Sequence, residues 1–227
     1  MQKKYKIAVI IVFILLITML LITVQKKHQY EKYLKQENGN SISSILSAIH
    51  SNNGILKKYE ETGVITYAEL SRIGISYFNA ESDLRDLQRQ LKYFASKEKD
   101  NENFNTIISY FGGVSLFVSM DVLQGIGNYY PHMYNDEIIE LSKDEKLILG
   151  YINGLNQKFI RVITEKGFIN NQPNSKMYYI EIDANNGLAD LIELVDGLAN
   201  ESKNYLLELE SYYNSKVVEK FLLEVNY

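Results

Sequence analysis

The stretch LSRIGISYFNAESDLRDLQRQLKYF, residues 70–94, carries the longest unbroken pattern in the chain. Leu70, Ile73, Tyr77, Ala80, Leu84, Leu87, Leu91 and Phe94 follow one another at alternating steps of three and four. That spacing draws a narrow apolar seam along a helix, as in a coiled coil or an antiparallel bundle. Asp83, Arg85, Asp86, Arg89 and Lys92 occupy the other faces. Immediately upstream, Thr66-Tyr67-Ala68-Glu69 has the form of a capping box, in which the Thr66 and Glu69 side chains satisfy amides left free in the first helical turn. The seam predicts intramolecular packing, because other amphipathic helices are available to meet it; a homo-oligomer through Leu70–Phe94 is the alternative.

Downstream, Phe104 to Ile126 is apolar around most of its circumference, with Asp121 as its single charge. A helix of this kind sits in the middle of a core or in a membrane. Its strongly apolar part is shorter than a usual span and contains Gly112-Gly113, so a buried central helix is expected and a second span is the alternative. Gly125 to Asn135 reads as a turn-rich connector around Pro131. Ser142-Lys143-Asp144-Glu145 is a second capping box, opening a helix with Leu147, Ile148, Tyr151, Leu155, Phe159 and Val162 on one face and Gly167 at its C-cap. Lys176 to Asp183 alternates weakly, as a short strand would. After Asn185-Asn186-Gly187, the residues Leu188, Leu191, Val195, Leu198, Tyr205, Leu209 and Tyr212 keep heptad spacing, interrupted by Ser202.

Upstream of the seam, Ile42, Ile45, Leu46 and Ile49 predict another amphipathic helix, weakened at Asn52-Asn53-Gly54 and ended by Thr62-Gly63. Glu37-Asn38-Gly39-Asn40 reads as a break separating it from a stalk. With two prolines in 227 residues, long uninterrupted helices are favoured. The expected fold is all-α: four or five antiparallel helices.

The N-terminal region is of another character. Ile7 to Val24 holds no charge, and its only polar side chains are Thr18 and Thr23. Eighteen helical residues extend about 27 Å, close to a hydrocarbon core of about 30 Å. Fourteen of them are Ile, Leu, Val or Phe, which favours insertion by about 4 to 8 kcal/mol as an upper bound. The run ends in Val24-Gln25-Lys26-Lys27 and lacks the small residues of a signal-peptide cleavage site. Ile7–Val24 is therefore expected to contact the bilayer as an uncleaved transmembrane anchor. The resulting organisation is a tail at 1–6, the anchor at 7–24, a helical stalk at 25–40 and a bundle domain at 41–227. Lys3, Lys4 and Lys6 precede the anchor densely, whereas Lys26, Lys27, Lys32 and Lys35 are diluted by Glu31 and Glu37. The positive-inside rule then puts the N-terminus in the cytoplasm and the bulk of the chain outside.

Composition removes several function classes. Net charge is −4 and the basic residues are interspersed, so nucleic acid is not an expected partner. Zero cysteines exclude disulfides, thiolate metal sites and a cysteine nucleophile. His28, His50 and His132 show no metal-ligand spacing, and no Gly-x-Ser-x-Gly elbow occurs. Asp183-Ala184-Asn185-Asn186-Gly187 has its glycine one place early for a calcium loop, and Ile192 stands where the loop needs Glu. No cofactor, metal or catalytic residue is expected. Tyr129, Tyr130, His132 and Tyr134 form the densest aromatic connector and are the candidate partner- or ligand-binding residues, although aromatics there equally suit a plug at the end of a bundle. The expected function is a non-enzymatic interaction or adaptor module of the bacterial cell envelope, bound to another envelope protein. A two-span sensor and an envelope enzyme with an unrecognised site are the alternatives.

Overall fold

In the computed structural model, backbone is described for residues 2–94, 101–123, 136–167, 187–210 and 221. Side chains are described at 13–33, 36–37, 39–90, 102–123, 136–167, 192–205 and 221. Among these residues the chain is helical and contains no strand. The helices are α1 (Gln2–Thr62), α2 (Tyr67–Phe94), α3 (Asn101–Leu116) continued by a π-helical turn (Phe117–Val122), α4 (Lys143–Glu165) and α5 (Gly187–Glu210).

Helix α1 is 61 residues long, about 90 Å at 1.5 Å per residue. It corrects the expected break at Glu37 to Asn40, through which it passes without interruption. One glycine in a helix costs only about 1 kcal/mol relative to alanine, and Gly39 is followed within three residues by Ile42, the first fully buried side chain among those described. Packing of the C-terminal half thus holds the helix through its weak point. The expected weak point at Asn52 is likewise held by packing, for the side chain is buried and Ser76 Oγ donates to its Oδ1 at 2.9 Å. The helix stops at Gly63, where φ is +67° and the amide reaches back to the Tyr59 carbonyl at 2.7 Å.

Both capping boxes form. Glu69 N donates to Thr66 Oγ1 at 3.2 Å, and Thr66 N donates to Glu69 Oε2 at 3.1 Å. Ser142 and Glu145 make the equivalent pair, and Gly167 closes α4 at φ +75°.

The seam that opened the reading is spent inside the molecule. Leu70, Ile73, Tyr77, Ala80, Leu84 and Leu87 are all at most 1% exposed. The side chains of Leu91 and Phe94 lie outside the described residues. Ser76 meets Asn52 of α1, while Gln88 Nε2 reaches Asn105 of α3 at 2.8 Å, so α2 runs antiparallel between the two. From Leu70 to Leu87 the seam packs against α1 and α3 of the same chain.

Helix α3 starts at Asn101 and packs against α2 and α5, with Phe104, Ile107, Tyr110, Phe111 and Val114 buried. Its end widens into a π turn, with Leu123 N bonded to Val118 O at 3.0 Å. A wider turn keeps Phe117, Val118, Val122 and Leu123 directed into the core, where the tighter α spacing would rotate the second pair away. The core-helix reading of this region is therefore the one the packing supports up to Leu123; Ile126 lies outside the described residues.

Helix α4 buries more than its one expected face. Besides Ile148, Tyr151, Leu155, Phe159 and Val162, it buries Leu149, Ile152, Asn153, Asn156 and Ile163, because it packs on two neighbours. Asn153 Nδ2 bonds Glu60 of α1 at 2.8 Å, and Arg161 Nη2 bonds Glu201 of α5 at 2.7 Å. In α5, the interrupting Ser202 is fully buried and satisfies itself by donating to the Leu198 carbonyl at 3.0 Å. A feature without a sequence signal is the short pairing of Thr66 with Ile138, which ties the α1–α2 turn to the segment before α4 through Ile139 N to Ile65 O at 3.0 Å.

Among the described residues no helix is long and apolar enough to cross a membrane. The described part of the N-terminal apolar run, Phe13 to Val24, is about 18 Å long as a helix. Residues 7–12 contribute the rest of the run, and their side chains are not described.

Candidate functional site

Two features of the described residues need a chemical explanation. The first is internal. Tyr77 of α2 donates its hydroxyl to Asn156 Oδ1 of α4 at 2.7 Å, and Asn156 Nδ2 donates to the Ile49 carbonyl of α1 at 3.1 Å. From α3, the Tyr110 ring meets Tyr77 edge-on at 6.1 Å, and Phe111 stacks on it at 5.0 Å. Phe159 closes the group against Tyr110 at 5.4 Å. Four helices thus converge on one polar pair inside an aromatic sleeve. Burial pushes the hydroxyls of both Tyr77 and Tyr110 well above the usual tyrosine range, so both remain neutral. The Tyr110 hydroxyl has no hydrogen-bond partner among the described residues. Sealed and neutral, the group offers no nucleophile, acid or base to a substrate. What it offers is register: a slide of α2 against α4 breaks a buried bond.

A second aromatic group lies beside it. Tyr151 and Tyr205 stack at 4.6 Å, Phe221 contacts both Tyr151 and Phe117, and Lys158 Nζ lies 4.8 Å from the Tyr205 ring centroid. The Tyr205 hydroxyl occupies the notch over Gly154, where a Cβ would fall 1.9 Å from it.

The second feature is external. Ten large apolar side chains between Phe13 and Val24 are 42–69% exposed on α1, and every described side chain from 13 to 33 is exposed. The polar atoms of this segment are turned inward on the helix: Thr18 Oγ1 donates to the Ile14 carbonyl and Thr23 Oγ1 to the Met19 carbonyl, each at 2.8 Å. Elsewhere the exposed large apolar residues are few, among them Phe78, Leu116, Met120 and Ile138, as is normal for a protein surface.

The candidate binding residues Tyr129, Tyr130, His132 and Tyr134 all lie outside the described residues, as does the calcium-loop-like stretch up to Asn186 and the strand expected over Lys176 to Asp183. His28 is exposed on α1 and His50 is half-buried. Among the described residues no group of three or more His, Asp or Glu side chains is placed to hold a metal ion. Nothing in the sequence singled out Asn156 as the partner of Tyr77, since α4's expected face omitted it.

No family model, curated protein or solved structure matches this chain.

Proposed function

We propose that this chain is a membrane-tethered helical bundle, of four or five antiparallel helices, that serves the bacterial cell envelope as a non-enzymatic interaction or adaptor module. Ile7–Val24 would be the anchor, with the N-terminus cytoplasmic and residues 41–227 outside. The observation that carries the reading is the collar of exposed apolar side chains on α1. A contiguous greasy surface all around a helix is unfavourable in water. Here no other part of the described chain covers it, whereas a bilayer would. The back-bonded threonines support the same medium, because hydrocarbon leaves polar atoms no water to bond. Tethering raises local concentration, so modest affinity for another envelope protein suffices for function.

The chain contains no cysteine, so single reporters are clean. Glu61→Cys and Asn200→Cys, each exposed, are treated with a membrane-impermeant maleimide in intact cells. The proposal expects membrane retention after carbonate washing and labelling at both positions. Labelling at 61 alone makes the chain a two-span protein, and the sensor reading replaces this one. Full-length chain in the soluble fraction removes the anchor.

A further inference from the structure

We infer that the segment of α1 just beyond the apolar run is a binding surface for anionic phospholipid headgroups. The inference rests on the anchor reading and names the lipid chemistry that the same helix would meet next. Lys26, Tyr30 and Tyr33 fall on one stripe of α1, within about 60° of each other at 100° per residue. Both tyrosines are more than half exposed. Lys27 lies next to the stripe, only loosely paired with Glu31 at 3.8 Å, and both side chains are largely in solvent.

Position on the helix sets the chemistry. Lys26 and Lys27 stand about 3 to 5 Å past Val24 along the axis, and Tyr30 about 9 Å. The headgroup layer is about 5 to 8 Å thick on each side of the hydrocarbon. The lysines therefore fall at phosphate depth, and a modest lean of the helix lays the Tyr30 ring at the outer edge of the interface, where tyrosine is favoured. Residues 25–33 contain three lysines and one glutamate, opposite in sign to an anionic leaflet. The bundle as a whole cannot supply this attraction, since the chain's net charge is −4. The stripe is local and basic on an otherwise acidic molecule, and each lysine near such a surface biases adhesion roughly fivefold.

The absence of tryptophan gives the test. Full-length protein carrying Tyr30→Trp is reconstituted in vesicles with or without phosphatidylglycerol, doped in parallel samples with phospholipid brominated near the headgroup, which reads position 30, or near the middle of the acyl chain, which reads position 13. Phe13→Trp serves as the reference inside the run. The expected result is quenching of both tryptophans, with that of the Tyr30→Trp protein several-fold stronger in the anionic vesicles. High salt, or Lys26→Gln with Lys27→Gln, should abolish the difference. Quenching at position 13 with none at 30 overturns the headgroup contact while leaving the anchor intact. Equal quenching at 30 in both lipids overturns the preference for anionic headgroups. No quenching at 13 removes the anchor, and this inference with it.

Discussion

Tyr77 and Tyr110 are both fully buried and chemically alike, yet their hydroxyls do opposite things. Tyr77 donates to Asn156; Tyr110 has no partner among the described residues. Replacing Tyr77 by Phe strands Asn156 Oδ1 in the core, which costs about 1 to 3 kcal/mol. Replacing Tyr110 by Phe removes a desolvated hydroxyl that meets no hydrogen-bond geometry among the described residues and interacts only weakly with Tyr77, and is expected to cost little or nothing. The urea midpoints of the two variants should move apart, downward for Tyr77→Phe only; equal losses would refute the assignment of the bond. Two glycines of α4 give a similar contrast. At Gly154 a methyl group meets the Tyr205 hydroxyl, so Gly154→Ala must unseat Tyr205 and lose about 1 to 3 kcal/mol. At Gly150 nothing lies within 4 Å, and Gly150→Ala should gain about 0.5 to 1 kcal/mol from helix propensity. Thermal unfolding of the pair, read as a fall in Tm for one and a rise for the other, checks both.

At the scale of elements, the start of α2 is held by a charge. Burial pushes the Glu69 carboxyl up. The Lys58 hydrogen bond and charge and the two bonds with Thr66 outweigh it, leaving its pKa below the ordinary value. A lowered pKa means that the folded state prefers the ionised group. Its contribution is complete above the unfolded value near about 4.3 and is lost as pH falls through the folded value. Tm measured against pH should therefore drop through the acid range, and Glu69→Gln should flatten that drop while lowering Tm at neutral pH. These caps were legible in the sequence, because a capping box needs only four adjacent residues. So were the buried seam of α2 and the burial of the apolar residues of α3, which periodicity and apolar density announce. The unbroken course of α1 was not. Local signals at Gly39 and at Asn52 to Gly54 describe propensity, whereas the core contacts that override it come from residues far along the chain. The second buried face of α4 was hidden for the same reason: Asn153 and Asn156 look like surface residues until Glu60, Ile49 and Tyr77 arrive to bond them. The aromatic connector, the sequence's one candidate for binding, lies outside the described residues, and the exposed collar on α1 takes its place as the feature a function must explain.

At the scale of the whole molecule, the change from exposed to buried side chains along α1 falls at Ile42 among the described residues. Every described side chain from 13 to 33 is exposed, whereas Ile42, Ile45, Leu46 and Ile49 are essentially inaccessible. Among the described residues, the buried polar bonds, both aromatic groups and both capping boxes lie C-terminal to that point. Cutting before Ser41 therefore removes no fully buried side chain among the described residues, and it removes the exposed apolar collar. A fragment of residues 41–227 is expected to remain helical in detergent-free buffer, to elute as a monomer, and to keep its Tm within a few degrees of the full chain in detergent. The full chain without detergent should aggregate instead, since the apolar collar then finds only other copies of itself. Circular dichroism with size-exclusion chromatography decides the matter. A fragment that unfolds would show that the first forty residues carry structural weight in the bundle. A full chain that stays monomeric without detergent would mean the collar is covered by something other than lipid.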